Sequence, residues 1–283
     1  RWDRLESATC WVVFGLFFKL VLADNIAAVL ATLRDSGADP LEVLLRTAGV
    51  GFRIYFDFAG YSFVALGLAS LLGVDLSMNF RSPYLATSIQ DFWRRWHISL
   101  STWIRDYLYI PLGGGRTRRW PLVVILVFIV SGAWHGAGWN FLLWGAIHGV
   151  ALVIWRLFDK WIPGGFAGWI LTQGLVFLAW LPFFTPDLGR FSDSMKTVLS
   201  VGGYSGMSFG SIVGLFDSRG DFLVYLTLLA AGAAIIFLEF LSKRGKNGED
   251  YSLFRKKGVC LVMVFLIVVF GSTSEGDFVY FNF

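Results

Sequence analysis

Apolar residues gather into seven runs separated by polar loops: residues 9–30, 47–72, 121–134, 141–157, 166–184, 222–241 and 259–270. A helix needs about 20 apolar residues to cross a bilayer. Most of the runs meet that length, while residues 121–134 and 259–270 fall short, and Pro182 interrupts the run before residue 184. Lys19 and Asp24 lie toward the far end of the first run. Arg53 and Asp57 lie i,i+4 inside the second, where they can pair on one helix face. An unpaired charge at bilayer depth is costly. The pattern predicts an all-α, polytopic membrane helix bundle of about seven segments, one domain over residues 1–283, without internal repeats.

Composition strengthens that picture. Only 16% of the 283 residues are charged, against about 25% in ordinary soluble domains. Phe (28) and Trp (13) are both high, as at membrane interfaces and interiors. The net charge of +4 does not point to nucleic acid, because the basic residues sit between apolar spans. Those residues orient the chain instead. If each run crosses once, one set of loops holds seventeen Lys and Arg and the other five, which places the first set in the cytoplasm. Cys10 and Cys260 lie in separate apolar runs, with no metal-ligand spacing and no basis for inferring a disulfide. With Arg1 in place of an initiator Met, further residues are expected before it.

Candidate chemistry gathers between Asp91 and Gly136: DFWRRWHISLSTWIRDYLYIPLGGGRTRRW, an apolar run, then SGAWHG. Residues 91–109 read as an amphipathic helix lying along or dipping into the membrane, with Trp93, His97, Ser101 and Arg105 on one face and Asp91 able to pair with Arg95. The plainer alternative is an interfacial helix with solvated charges. Residues 111–115 form a loop without phosphate-loop spacing. Arg116, Arg118 and Arg119 suit either an anionic head group or carrier phosphate, or simple anchoring on the cytoplasmic side. Around His135, the small residues of SGAWHGAG allow another backbone or a substrate to approach. Burial disfavours an imidazolium, so this ring is expected neutral near pH 7 and ready to accept a proton; a satisfied core histidine is the alternative. His148, alone in an apolar run, reads as structural. The three histidines lack HxxxH spacing, no GxSxG elbow is present, and neither cysteine has a neighbouring base.

These blocks resemble the membrane-bound O-acyltransferase family, in the pattern of its bacterial alginate-acetylating branch. The blocks are GLFFKLVLADN from Gly15, YFDFAGYS from Tyr55, NFRSPYLATSIQDFWRRWHISLSTWIRDYLYIPLGG from Asn79, SGAWHGAGWNFLLWGAIHG from Ser131 and the terminal FVYFNF. Family members extend further at the N-terminus. The chain departs from the family pattern at Arg53, Ala59 and Phe63, and in WLPFFTPD from Trp180. The departures bear on the acceptor route and subfamily more than on acyl transfer.

The resemblance implies a multi-pass inner-membrane enzyme with amphipathic cytoplasmic helices and a central tunnel. An acetyl group would pass from a cytoplasmic thioester donor, such as acetyl-CoA or an acyl carrier, toward O-acetylation of an exopolysaccharide such as alginate. His135 would be the catalytic base and His97 a second catalytic residue facing the donor. Asp91, Arg94, Arg95, Ser101 and Arg105 would form the donor funnel. No metal or other cofactor is implied. Implied partners are the donor, the bilayer, and periplasmic or membrane-anchored acetyltransferase proteins that handle the acceptor. Peptidoglycan O-acetylation and D-alanyl transfer to teichoic acid use the same chemistry, and a non-catalytic acyl conduit is the reading of another class.

Overall fold

The first apolar run folds as one continuous helix: α1 (Trp2–Leu16), a π-helical stretch (Phe17–Ala23) and α2 (Asp24–Thr32). The computed structural model describes residues 2–205, 208–243 and 251–272; the terminal FVYFNF block lies outside them. The other helices are α3 (Pro40–Leu72), α4 (Ile89–Arg95), α5 (Ile98–Ile104), α6 (Trp120–His135), α7 (Trp139–Leu157), α8 (Gly165–Phe184), α9 (Leu188–Leu199), α10 (Phe209–Val213), α11 (Arg219–Lys243) and α12 (Lys257–Phe270). Five spans among the described residues are long and apolar enough to cross a membrane: Arg4–Thr32, Pro40–Leu72, Trp139–Leu157, Gly165–Phe184 and Arg219–Leu241. The apolar helices α6 and α12 are shorter. The seven runs of the sequence are thus all helical, and the fold is an all-α polytopic membrane protein.

The contacts group into two compact units, Phe80–Ser200 and a second built from the described residues of 1–79 and 201–272. In the latter, α3 starts earlier than the hydrophobic pattern suggests. Pro40 occupies the first turn, and the Asp39 carboxylate accepts from the amides of Leu41 (2.8 Å) and Glu42 (3.4 Å). That satisfies two of the otherwise orphaned donors of a helix start. Helices α1 and α3 meet through glycine. A Cβ on Gly15 would lie 2.5 Å from the Gly60 carbonyl oxygen, and one on Gly60 would lie 2.8 Å from that of Gly15. Close backbone approach at small residues is how helices pack in lipid, where burial from water offers little drive.

Lys19 lies on the π-helical stretch, and its Nζ is 2.8 Å from both Asp24 and Asp57. The ion pair of Asp57 therefore reaches across to another helix, where the sequence suggested Arg53 one turn away. Helix α12 returns to α1: Lys257 pairs with Glu6 at 2.8 Å, and the thiol of Cys260 comes near that of Cys10. Two cysteines that spacing could not relate are thus neighbours, both as free thiols.

The unit Phe80–Ser200 holds the stretch from Asp91 to Gly136. Its helix α8 is tied to the segment before α4 by side-chain donors to backbone. Trp169 Nε1 donates to the Tyr84 carbonyl and Gln173 Nε2 to that of Ala86, both at 2.8 Å. Helices α6 and α7 form a hairpin whose faces touch at glycine. An added Cβ on Gly145 would sit 2.1 Å from the Phe128 carbonyl oxygen, and one on Gly132 would sit 2.2 Å from that of Phe141. These atoms belong to backbone, which yields poorly. Gly145→Ala is expected to destabilise the hairpin by about 1–3 kcal/mol, the usual cost of overpacking. A thermal shift in detergent checks this; an unchanged midpoint would show that the helices have room to part.

Candidate functional site

Trp96 ends α4 in an extended conformation, and His97 follows in the left-handed region (φ 44°, ψ 55°). The single helix expected over residues 91–109 is therefore two, α4 and α5, followed by a π-helical turn (Arg105–Tyr109). The cause is tertiary. The Trp96 ring is buried against Phe80, Phe92 and Trp180, with centroids 5.1–5.5 Å away. A non-glycine residue in the left-handed region costs on the order of 1–2 kcal/mol, and burying the large Trp96 ring just before the break offsets it. The i,i+4 stripe does not survive as one face. Trp93 stays on α4, Ser101 on α5, and His97 sits at the joint.

His97 and His135 are both buried, each about 9% exposed. His135 is the last residue of α6. Trp134 beside it lies between the two histidines, its ring centroid 4.9 Å from that of His135 and 6.0 Å from that of His97. Burial, and to a lesser degree the neighbouring His135, hold the His97 pKa down to about 3. The ring is accordingly neutral near pH 7. Trp144 and Phe183 enclose His135 from α7 and α8, at 5.1 and 5.3 Å. The small residues around His135 serve packing here: a Cβ on Gly136 would lie 2.3 Å from the Phe141 ring.

His148 belongs to the same aromatic cluster. It is 2% exposed, edge-on to Trp93 at 5.0 Å and to Trp144 at 4.9 Å, so Trp144 separates it from His135. Its Nδ1 meets no hydrogen-bond partner among the described residues.

Next to the cluster is a cavity of about 430 Å³ lined from α4, α5, α6 and α7. Of the expected funnel residues, Arg94, Ser101 and Arg105 line it, with Trp93 beside them. Asp91 and Arg95 do not; they pair at 2.8 Å, and Arg95 Nη1 also donates to the Arg81 carbonyl at 3.3 Å. Neither His97 nor His135 is among the lining residues, but Ser131, one helical turn before His135, is. Val124, Val127, Phe128 and Leu152 make the inner wall apolar. Arg105 is chelated by its neighbour Asp106 (2.8 and 3.2 Å), and that contact holds the Asp106 carboxyl below its usual pKa. The sequence reading missed Arg156 and Trp120, which meet at the cavity, and Trp144 between the histidines. A basic side chain ending an apolar helix was the one available signal for Arg156. Among the described residues no group of three His, Cys, Asp or Glu side chains converges as metal ligands would.

Residues 3–181 match the family model described as MBOAT, membrane-bound O-acyltransferase family. The chain is 32% identical to the peptidoglycan O-acetyltransferase of Helicobacter pylori over 95% of its own length and 55% of that protein. It is also 32% identical to the probable alginate O-acetylase of Pseudomonas putida, over 99% of the chain and 62% of the relative. A shorter match, over 56% of the chain and 41% of the relative, links it to the teichoic acid D-alanyltransferase of Streptococcus thermophilus at 33% identity. The chain thus spans roughly half the length of these relatives.

Proposed function

The chain belongs to the membrane-bound O-acyltransferase family, and on that premise we propose that it transfers an acyl group, acetyl in the first instance, from a cytoplasmic thioester donor to a hydroxyl. The observation that carries this reading is the pair of buried histidines, His97 and His135, sharing Trp134 beside a cavity that Ser131 lines one turn from His135. A neutral His135 takes the proton of the acceptor hydroxyl as that oxygen attacks the thioester carbonyl. The C–S bond breaks, and the departing sulfur receives the proton from the imidazolium. His97 orients the donor, and Arg94, Ser101 and Arg105 line the route it takes. Buried aromatic walls hold the reactants in place, and such positioning supplies much of the rate. No metal or redox group is required for these steps.

For the acceptor we propose a polysaccharide such as alginate, reached through membrane-anchored or periplasmic acetyltransferase partners in the inner membrane. The family branch of the sequence blocks supports this, as does the match over nearly the whole chain to a probable alginate O-acetylase. A match of equal identity to a peptidoglycan O-acetyltransferase makes peptidoglycan the second acceptor to test. Acetyl ester on alginate, made by cells carrying the gene and absent from a deletion strain, is the expected result. Acetyl loss from peptidoglycan alone would move the assignment.

Orientation is part of the proposal. Seventeen basic residues against five place the loop around Lys160 in the cytoplasm and that around Gly202 outside. Reporters fused after Lys160 and after Gly202 should give opposite signals. The same signal from both contradicts the orientation.

A further inference from the structure

Arg156 ends α7 with its guanidinium over the Trp120 ring, 4.3 Å from the centroid. Its other side rests on Gly115, where an added Cβ would lie 3.3 Å from Nη1 and equally close to the Tyr109 hydroxyl. The side chain thus rests against an aromatic face and beside the Gly115 backbone, where a methyl group would fit tightly, and its exposed guanidinium lines the cavity. Of the three arginines at this cavity, Arg105 already chelates Asp106. Arg94 and Arg156 have no carboxylate within salt-bridge distance among the described residues. The inner wall is apolar. Two solvent-exposed arginines with no carboxylate partner among the described residues, at an apolar cavity of about 430 Å³, a volume usual for small-molecule sites, describe a receptor for an uncharged arm with an anionic end. A guanidinium fixed in a plane is suited to grip phosphate through two parallel hydrogen bonds. Helix-dipole compensation also favours a cation at the end of α7, but it requires neither the stacking on Trp120 nor the exposure to the cavity. Arg116, Arg118 and Arg119, which the sequence suggested for such a phosphate, do not line it.

We propose that Arg156, supported by Arg94, binds the phosphate of the donor's pantetheine arm and so sets how far the thioester reaches toward His135. This rests on the acyl-transfer reading. Coenzyme A and the prosthetic group of an acyl carrier both carry that phosphate, and an anionic lipid head group is the competing occupant.

Arg156→Gln is compared with the unsubstituted protein in membranes, using acetyl-pantetheine, acetyl-phosphopantetheine, acetyl-CoA and an acetylated carrier as donors. Loss of a charge-assisted contact is expected to raise KM about tenfold for donors bearing the phosphate, with kcat nearly unchanged and no effect on acetyl-pantetheine. Among the phosphate-bearing donors, the one used at the lowest concentration identifies the source. Arg156→Lys, which keeps the charge but loses the planar fork, should fall between. Equal KM changes for phosphate-free and phosphate-bearing donors, or none for either, would overturn the proposal. So would a variant whose only change is a lost dependence on anionic lipid in vesicles of defined composition. Binding of S-ethyl-phosphopantetheine, which cannot transfer, separates this from the function itself: it should weaken about tenfold in Arg156→Gln while S-ethyl-pantetheine is unaffected. If the unsubstituted protein transfers from no donor yet shows that binding difference, the acyl-transfer reading fails and the phosphate seat stands. Transfer with binding indifferent to Arg156 has the opposite meaning.

Discussion

His135→Gln is expected to leave a folded, inserted protein whose acyl transfer falls by about 10²–10⁴-fold, the usual worth of a general base. Glutamine keeps a polar side chain and can still hydrogen-bond, but it cannot accept a proton near pH 7. The ring it replaces is enclosed by Trp134, Trp144 and Phe183, so the comparison needs equal protein levels in the membrane. His97→Ala should also impair transfer severely, through donor placement, because His97 sits at the α4–α5 joint beside the same Trp134. His148→Ala should retain substantial activity, since Trp144 stands between His148 and His135. A transfer assay with a labelled thioester donor ranks the three. Near-normal transfer by His135→Gln would return His135 to a packing role.

The largest stability effect is expected at Lys19. Its ammonium serves two carboxylates at 2.8 Å, and the three side chains are only 11%, 6% and 2% exposed for Lys19, Asp24 and Asp57. Lys19→Met removes the cation that the two buried acids share, leaving Arg53 as a cation that still acts on Asp24. Breaking a buried pair from one side costs about 3–5 kcal/mol, enough to deplete the protein from the membrane. Neutralising the acids as well should recover much of that loss, because what destabilises is the uncompensated charge. Thermal unfolding in detergent of Lys19→Met, and of Lys19→Met combined with Asp24→Asn and Asp57→Asn, measures both. A single variant as stable as the original would mean that the acids find other compensation.

The helices were legible in the sequence because hydrophobic runs of the right length have few other ways to fold in a bilayer. The runs at residues 121–134 and 141–157 lie within α6 and α7, and the small residues of SGAWHGAG already left room for another backbone or a substrate. Asp91 and Arg95 pair as their spacing suggested. What local pattern misjudged was decided by tertiary packing. DFWRRWHISLSTW has the spacing of a continuous helix, and only the aromatic pocket for Trp96 shows why it breaks at His97. Asp57 offered Arg53 as an i,i+4 partner, whereas its ion pair with Lys19 depends on how closely Gly15 and Gly60 let α1 and α3 approach. Cys10 and Cys260 meet only because α12 returns to α1. Arg156 read as one more basic residue flanking a span, since nothing local joins it to Trp120 or Gly115.

Thiol release is the most direct test of catalysis. Sealed membrane vesicles carrying the protein receive an acetyl thioester on the cytoplasmic side together with the polysaccharide acceptor and its partner proteins, and free thiol and O-acetyl ester are measured together. Acyl transfer predicts one thiol released for each ester formed, with both signals lost in His135→Gln. Passage of the acetyl group with its thioester intact, at the same rate in His135→Gln, would show a conduit and contradict the assignment.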